Sequence, residues 1–372
     1  MDDNEDNEHP HGTPTAGTGD TGVDNNSPSP SPPPASRRVP SPDEIQDWGK
    51  KFVINYSPWL VDDSVFSMKL KPGIGDKHGT RFVKKKKKFL VENLIQGQLR
   101  DLLEVIPEEY QWLRKDKDFQ KHFIYGMQSM RQAWSKRLRS QGTEKIFGAL
   151  ADEMDSSEER FGEYADLIGY DPALAAKGAP YSALRAPILH TRELSDKTFK
   201  KEDVFTRKEL KTTWIGLLRG APAAKQFRMQ NRSTKVSPKV YQSIFHIRYT
   251  MRAHPAVAAV LTCWALSADI ELTRTGDRTE IDWLERFHEY LSVIHRGVES
   301  KCAYTRKMFR EWDAEVFNTD HSPYGGDGPV DDSEAVEEHD EAMAQYDEPE
   351  DDAENNAQPA PDDENDFEDE DP

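Results

Sequence analysis

The sequence predicts an all-α protein, an irregular multi-helix bundle packed around one buried helix at about 253–270, and three observations carry that expectation. Residues 253–270 read AHPAVAAVLTCWALSADI, with only Thr262 and Ser267 polar between Ala256 and Ala268. A helix apolar on every face has to be enclosed by protein or lipid, and this run is shorter than the ~20 residues a bilayer core requires and is closed by His254 and Asp269, which favours protein. Elsewhere apolar residues recur at steps of three and four, with no convincing alternating strand and no internal repeat.

The ends read differently from the middle. Residues 1–40 form a Ser/Pro/Asp-rich arm that includes SPSPSPPP, and residues 321–372 form an acidic tail; neither offers enough apolar surface to offset the entropy of ordering, so both are expected to stay disordered. The folded part is then 41–320, with 170–187, broken by Pro172, Gly178, Pro180 and Pro187, as the one internal boundary the sequence offers.

Taken in order, Ser41-Pro-Asp-Glu44 is a capping box opening a helix with Ile45, Trp48 and Phe52 on one face. A long irregular connection follows to Thr80, and its GIGDKHGT fails the spacing of both phosphate-loop fingerprints. Thr80 is placed to cap a helix bearing Val91, Ile95, Leu99, Leu102 and Ile106, whose first turns hold five consecutive lysines. Such a run covers every azimuth of a helix and opposes its dipole, so it has to project into water or meet an anion. The next helix carries Phe119, Phe123, Met127, Met130, Trp134 and Leu138, with a basic polar side, and a shorter one surrounds Ile146. Leu210, Trp214, Leu217 and Leu218 mark another helix, and 221–238 reads as an exposed basic loop without periodicity. Pro238 is expected to open a helix at 240–253 that runs directly into the central one, where Pro255 suits the first helical position. Thr279 then caps a helix with Ile281, Leu284, Phe287, Leu291 and Ile294, and Tyr304, Met308, Trp312 and Val316 continue the period to Phe317.

The net charge of −19 conceals a basic body, because residues 41–320 hold 47 Lys and Arg against 39 Asp and Glu while the tail holds 22 acids and no base. That pattern admits a tail that screens its own basic surface or binds a basic partner such as a histone, or one that only solubilises. Two cysteines, Cys263 and Cys302, exclude a disulfide framework, and neither a secretory signal nor a membrane-spanning segment is apparent, so an intracellular setting is expected. The basic residues Lys84, Lys85, Lys86, Lys87, Lys88, Arg131, Lys136, Arg137, Arg139, Lys225, Arg228, Arg232 and Lys235 are the candidates for nuclear import or contact with nucleic-acid phosphates. His246, His254, His288 and His295 lack metal-ligand spacing, and the pairs Asp269 with Glu271, or Asp277 with Glu280 and Asp282, sit where acids cap helices. No cofactor, metal or catalytic residue is assigned.

The segments DWGKKFV from Asp47, ALSADIELTRTGDRTEIDWLERFHEYL from Ala265 and FREWDAEVF from Phe309 resemble a set of hypothetical proteins of mushroom-forming basidiomycete fungi that have no assigned activity. The resemblance implies a fungal intracellular protein with a weak pointer to mobile elements and the nucleus, and it carries over no functional residue. The expected function is non-enzymatic binding of macromolecules, nuclear rather than cytoplasmic and without a membrane role. The alternatives are a direct nucleic-acid binder restrained by its acidic tail and a degenerate mobile-element enzyme.

Overall fold

A computed structural model describes residues 38–326 except 87, 149–153, 155, 176–177, 179, 191–202 and 231–235, so the arm before Arg38 and the tail after Gly326 lie outside the described residues. The helices are α1 (Pro42–Asn55), α2 (His78–Arg81), α3 (Val91–Val105), α4 (Lys117–Lys136), α5 (Thr143–Phe147), α6 (Ser157–Tyr164), α7 (Pro172–Ala175), α8 (Lys208–Arg219), α9 (Ala221–Gln230), α10 (Tyr241–Ile244), α11 (Ala253–Leu266), α12 (Trp283–Glu299) and α13 (Ala303–Trp312). Between α2 and α3, β1 (Lys84–Lys85) pairs antiparallel with β2 (Lys88–Phe89), the only sheet among the described residues.

The capping box forms as its spacing predicts: Glu44 N–H donates to Ser41 Oγ at 3.3 Å, and Ser41 N–H donates to the Glu44 carboxylate at 2.9 Å. The α1 helix crosses α4 backbone to backbone because each contributes a glycine at the contact. A Cβ built on Gly49 would lie 2.1 Å from the Phe123 carbonyl oxygen, and one built on Gly126 would lie 2.1 Å from that of Gln46. Phe52, Phe66, Phe119 and Phe123 fill the seam beside them.

The central helix α11 is buried along its whole length. It lies against α8 through Thr262 Oγ, which donates to Thr213 Oγ at 2.9 Å, and against α12 through Cys263, whose sulfur is 3.9 Å from the Tyr290 hydroxyl. One hydrophobic cluster joins residues from Ile45 to Val316, and Leu184, Ile188 and Leu189, just past the Tyr170–Tyr181 bridge, belong to it.

Five local expectations need correction. The central helix ends at Leu266 rather than Ile270, because Arg139 and Arg160 take its last carbonyls. Pro255 is the third helical residue, where its missing N–H is still one of the four left unpaired at a helix start. No continuous helix spans 240–253: α10 stops at Ile244, and His246 turns left-handed at φ 55°. Residues 221–230 are helical, since Ala221, Ala224 and Phe227 bury one face. Asp282, not Thr279, caps α12, accepting from Glu285 N–H at 2.8 Å.

Candidate functional site

The lysine run does not enter a helix. Placed on α3 it would stack like charges at steps of three and four beside the positive end of the dipole, whereas a hairpin spreads them on two faces. Its register sets Lys84 opposite Phe89 and Lys85 opposite Lys88. Directly opposed residues share a face, and successive residues alternate between faces. The Lys84–Phe89 face lies on α12: the Lys84 ammonium sits 4.7 Å from the Phe89 ring centroid, and that ring packs edge-on 6.4 Å from His288. Lys85 and Lys88 therefore occupy the outer face, and Lys85, Lys86 and Lys88 are exposed with no ion-pair partner among the described residues. At the turn Lys86 adopts φ 51°, a left-handed conformation that costs a side-chain-bearing residue roughly 1 kcal/mol. Lys87 lies outside the described residues.

The seat beneath the hairpin is aromatic and carries ionisable groups. Phe82 contacts His78 at 5.6 Å, Phe89 at 5.9 Å and His295 at 5.3 Å between ring centroids. His78 faces Ser292 Oγ at 3.0 Å through its ring, while its backbone N–H donates to Glu299 at 2.6 Å. Burial, with Arg296 nearby, pulls the His78 imidazole down to about 4, and burial with Arg81 and Arg274 pulls His288 down to about 3. His295 is held well below its usual value by burial and by Arg81, Arg252 and His78. All three are therefore neutral near pH 7. Half-buried Glu289 is pushed up to about 7 by burial, against the pull of Lys84 and Arg286. The pair of Phe residues bracketing the lysines, Phe82 and Phe89, was the readable signal for a docked hairpin.

The other basic candidates divide by residue type. Arg131 donates to the Pro58 carbonyl at 2.8 Å, Arg137 to that of Leu217 at 2.5 Å, and Arg228 to that of Lys145 at 3.2 Å. Arg139 donates to the carbonyls of Trp264, Asp269 and Ile270, with its guanidinium 3.8 Å from the Trp264 ring centroid. Burial lowers Arg131 to about 10 and, with Arg160 adding to it, Arg139 to about 9, so both remain charged. Lys136 and Lys225 are exposed, on α4 and α9. Arg232 and Lys235 lie outside the described residues. The four described arginines are thus spent on backbone carbonyls and do not extend the lysine surface.

Of the carboxylates Asp269, Glu271, Asp277, Glu280 and Asp282, the three aspartates are engaged in or beside the loop between α11 and α12. Fully buried Asp269 accepts from Arg278 N–H at 2.8 Å, Thr279 N–H at 2.7 Å, Thr279 Oγ at 2.7 Å and Trp283 Nε1 at 3.0 Å. Asp277 accepts from Ile270 N–H at 2.8 Å, and Asp282 caps α12. No group of three metal-ligating side chains occurs among the described residues, and Cys263 and Cys302 are both buried. Comparison with protein-family models, curated proteins and solved structures gives no match.

Proposed function

We propose that the protein acts by binding a polyanionic macromolecule and that the outer face of the lysine hairpin is the contact, with nucleic-acid phosphates as the ligand. The observation that carries this reading is Lys85 placed directly opposite Lys88 on an exposed face, next to a lysine in a left-handed turn. Like charges opposed across strands destabilise a sheet, and the turn between them holds Lys86 exposed beside the pair. A phosphate backbone relieves the repulsion and releases counterions. The same exposed lysines support nuclear import, for which a basic cluster suffices.

Titration of the full chain against a fluorescent DNA duplex of about 20 base pairs tests the reading. Three or four lysine contacts predict a slope of log K against log salt of about −3 to −4, so affinity falls about a hundredfold between 50 and 200 mM salt. Joint replacement of Lys85, Lys86 and Lys88 by Gln should weaken binding at least about tenfold at the lower salt and flatten the slope. Unchanged affinity and slope in that variant would overturn the reading.

A further inference from the structure

The inner face of the lysine hairpin rests on two imidazoles of α12. Phe82 packs on His295 and Phe89 on His288, and both histidines are more than nine-tenths buried. The Arg252 guanidinium, which can only donate, gives a hydrogen to His295 Nδ1 at 3.5 Å, so that nitrogen is an acceptor and carries no proton. His288 Nε2 has no hydrogen-bond partner among the described residues. A third imidazole, His78 of α2, faces Ser292 Oγ at 3.0 Å. The charge around these rings is mostly positive: Arg81 from α2, Lys84 from the hairpin, Arg252 just before α11, Arg274 from the loop before α12, and Arg296 from α12 itself. The neighbouring acids act elsewhere. Asp101 of α3 holds Arg81 at 3.0 Å, Glu299 takes the His78 backbone N–H at 2.6 Å, and Glu285 and Glu289 attract Lys84.

A second proton on His295 would set two cations 3.5 Å apart, and one on His288 would charge a buried ring whose Nε2 is unpaired. We propose that the hairpin is a proton-released flap: protonation of His295 and His288 drives Phe82, Lys84 and Phe89 off α12 while the core beneath stays folded. This goes beyond the polyanion reading and stands without it. Once lifted, a two-stranded ribbon has no stability of its own, so its amides exchange freely. In the open state an imidazole titrates near its ordinary value of about 6.5, so each of the three contributes about thirtyfold toward opening between pH 6.5 and 5. Glu289, pushed up to about 7 while the flap is closed, already holds its proton there and contributes about thirtyfold in the opposite sense. Two imidazoles remain uncompensated, which is about a thousandfold.

Hydrogen–deuterium exchange of the full chain without ligand, read by peptide mass spectrometry and expressed as protection relative to a free amide at each pH, tests the flap. The reporter is the Leu90 N–H, which donates to the Val83 carbonyl at 2.8 Å across the hairpin. Between pH 6.5 and 5 its protection should fall by up to about a thousandfold, to the level of a Phe89→Ala variant whose hairpin lacks its seat at every pH, while the amides of α11 keep theirs. Constant protection at Leu90, or a loss in step with α11, would overturn the inference. A variant with His288→Leu and His295→Gln removes both titrations and keeps an acceptor for Arg252. Its Leu90 protection should hold down to pH 5, and a fall equal to the parent's would also overturn the inference. Should that variant not fold, the parent's profile against Phe89→Ala still decides. No nucleic acid is present in this measurement, so the flap and the polyanion reading can fail separately, the latter by the duplex titration.

Discussion

Replacing Asp269 by Asn exchanges one carboxylate oxygen of a buried side chain for NH2 and should cost about 3 kcal/mol. One carboxylate oxygen takes the backbone N–H groups of Arg278 and Thr279, and the other takes Thr279 Oγ and Trp283 Nε1. An amide can present its carbonyl to the two backbone donors, which leaves its NH2 facing the indole N–H. The threonine hydroxyl can turn to accept, but the indole cannot, so one buried donor is left unpaired at about 1–3 kcal/mol. The two retained bonds also lose charge assistance, and Arg139 and Arg160, whose guanidiniums bond to the Asp269 carbonyl oxygen, lose a nearby negative charge. Urea unfolding of the full chain, followed by tryptophan fluorescence, measures the difference, with Asp277→Asn as an internal comparison. Asp277 is exposed and accepts one backbone N–H, so its loss should stay near 1 kcal/mol. A loss below about 1 kcal/mol for Asp269→Asn, or a gain, would refute the reasoning. A gain is what neutralising an under-satisfied buried carboxylate, such as one reserved for a cation, would produce.

Acid should unfold the protein in a window set by its buried imidazoles. His254 and His288 are each lowered to about 3 by burial, so between about pH 6.5 and 3 the unfolded chain binds protons that the native state refuses. Stability then falls with pH by about 1.4 kcal/mol per unit per group, while Glu289, raised to about 7, takes up its proton in the native state first and opposes the fall only between about pH 7 and 4.5. A circular-dichroism titration showing undiminished stability from pH 6.5 down to 4 would contradict this. At the turn, Lys86→Gly should leave stability equal or slightly higher and Lys86→Val should lower it by about 1 kcal/mol, because a β-branched residue resists the left-handed region; equal losses would refute the left-handed turn. For import, a fluorescently tagged chain with Lys85, Lys86 and Lys88 as Gln should lose nuclear accumulation, and an unchanged distribution would remove that role.

The helices were legible where one short-range signal decides them. Ser41 and Glu44 are three residues apart and cap each other, and α11 betrays itself by having no polar face. The misread elements are those where two signals overlap. In α9 the three-residue step of Ala221, Ala224 and Phe227 is masked by Lys225 and Arg228, and strands of two residues such as β1 and β2 are too short to carry a period. The candidate site was legible in composition but not in shape: the lysines were found, while their hairpin and its seat on α12 depend on His288 and His295, some two hundred residues later in the chain. The arginines were misjudged for the same reason. Arg131 and Arg139 find their carbonyls 73 to 131 residues away, a pairing no local window contains.

That misjudgement bears on how the positive charge of the body is used. A guanidinium presents a planar fork of donors, so one Arg139 serves the carbonyls of Trp264, Ser267, Asp269 and Ile270 at and just past the end of α11 while its face lies on Trp264. Arg160 serves the same helix end through the Ser267 and Asp269 carbonyls, at 2.7 and 3.3 Å. An ammonium on a flexible stem cannot span several fixed acceptors and gains most by staying hydrated until a mobile anion arrives. At this helix end the division follows from that chemistry: Arg139 and Arg160 satisfy the carbonyls exposed where α11 stops, while Lys85, Lys86 and Lys88 stay exposed on the hairpin. Much of the guanidinium share is fixed in folding, while Lys85, Lys86 and Lys88 form one exposed group among others that include Lys115, Lys117, Lys121, Lys136 and Lys225.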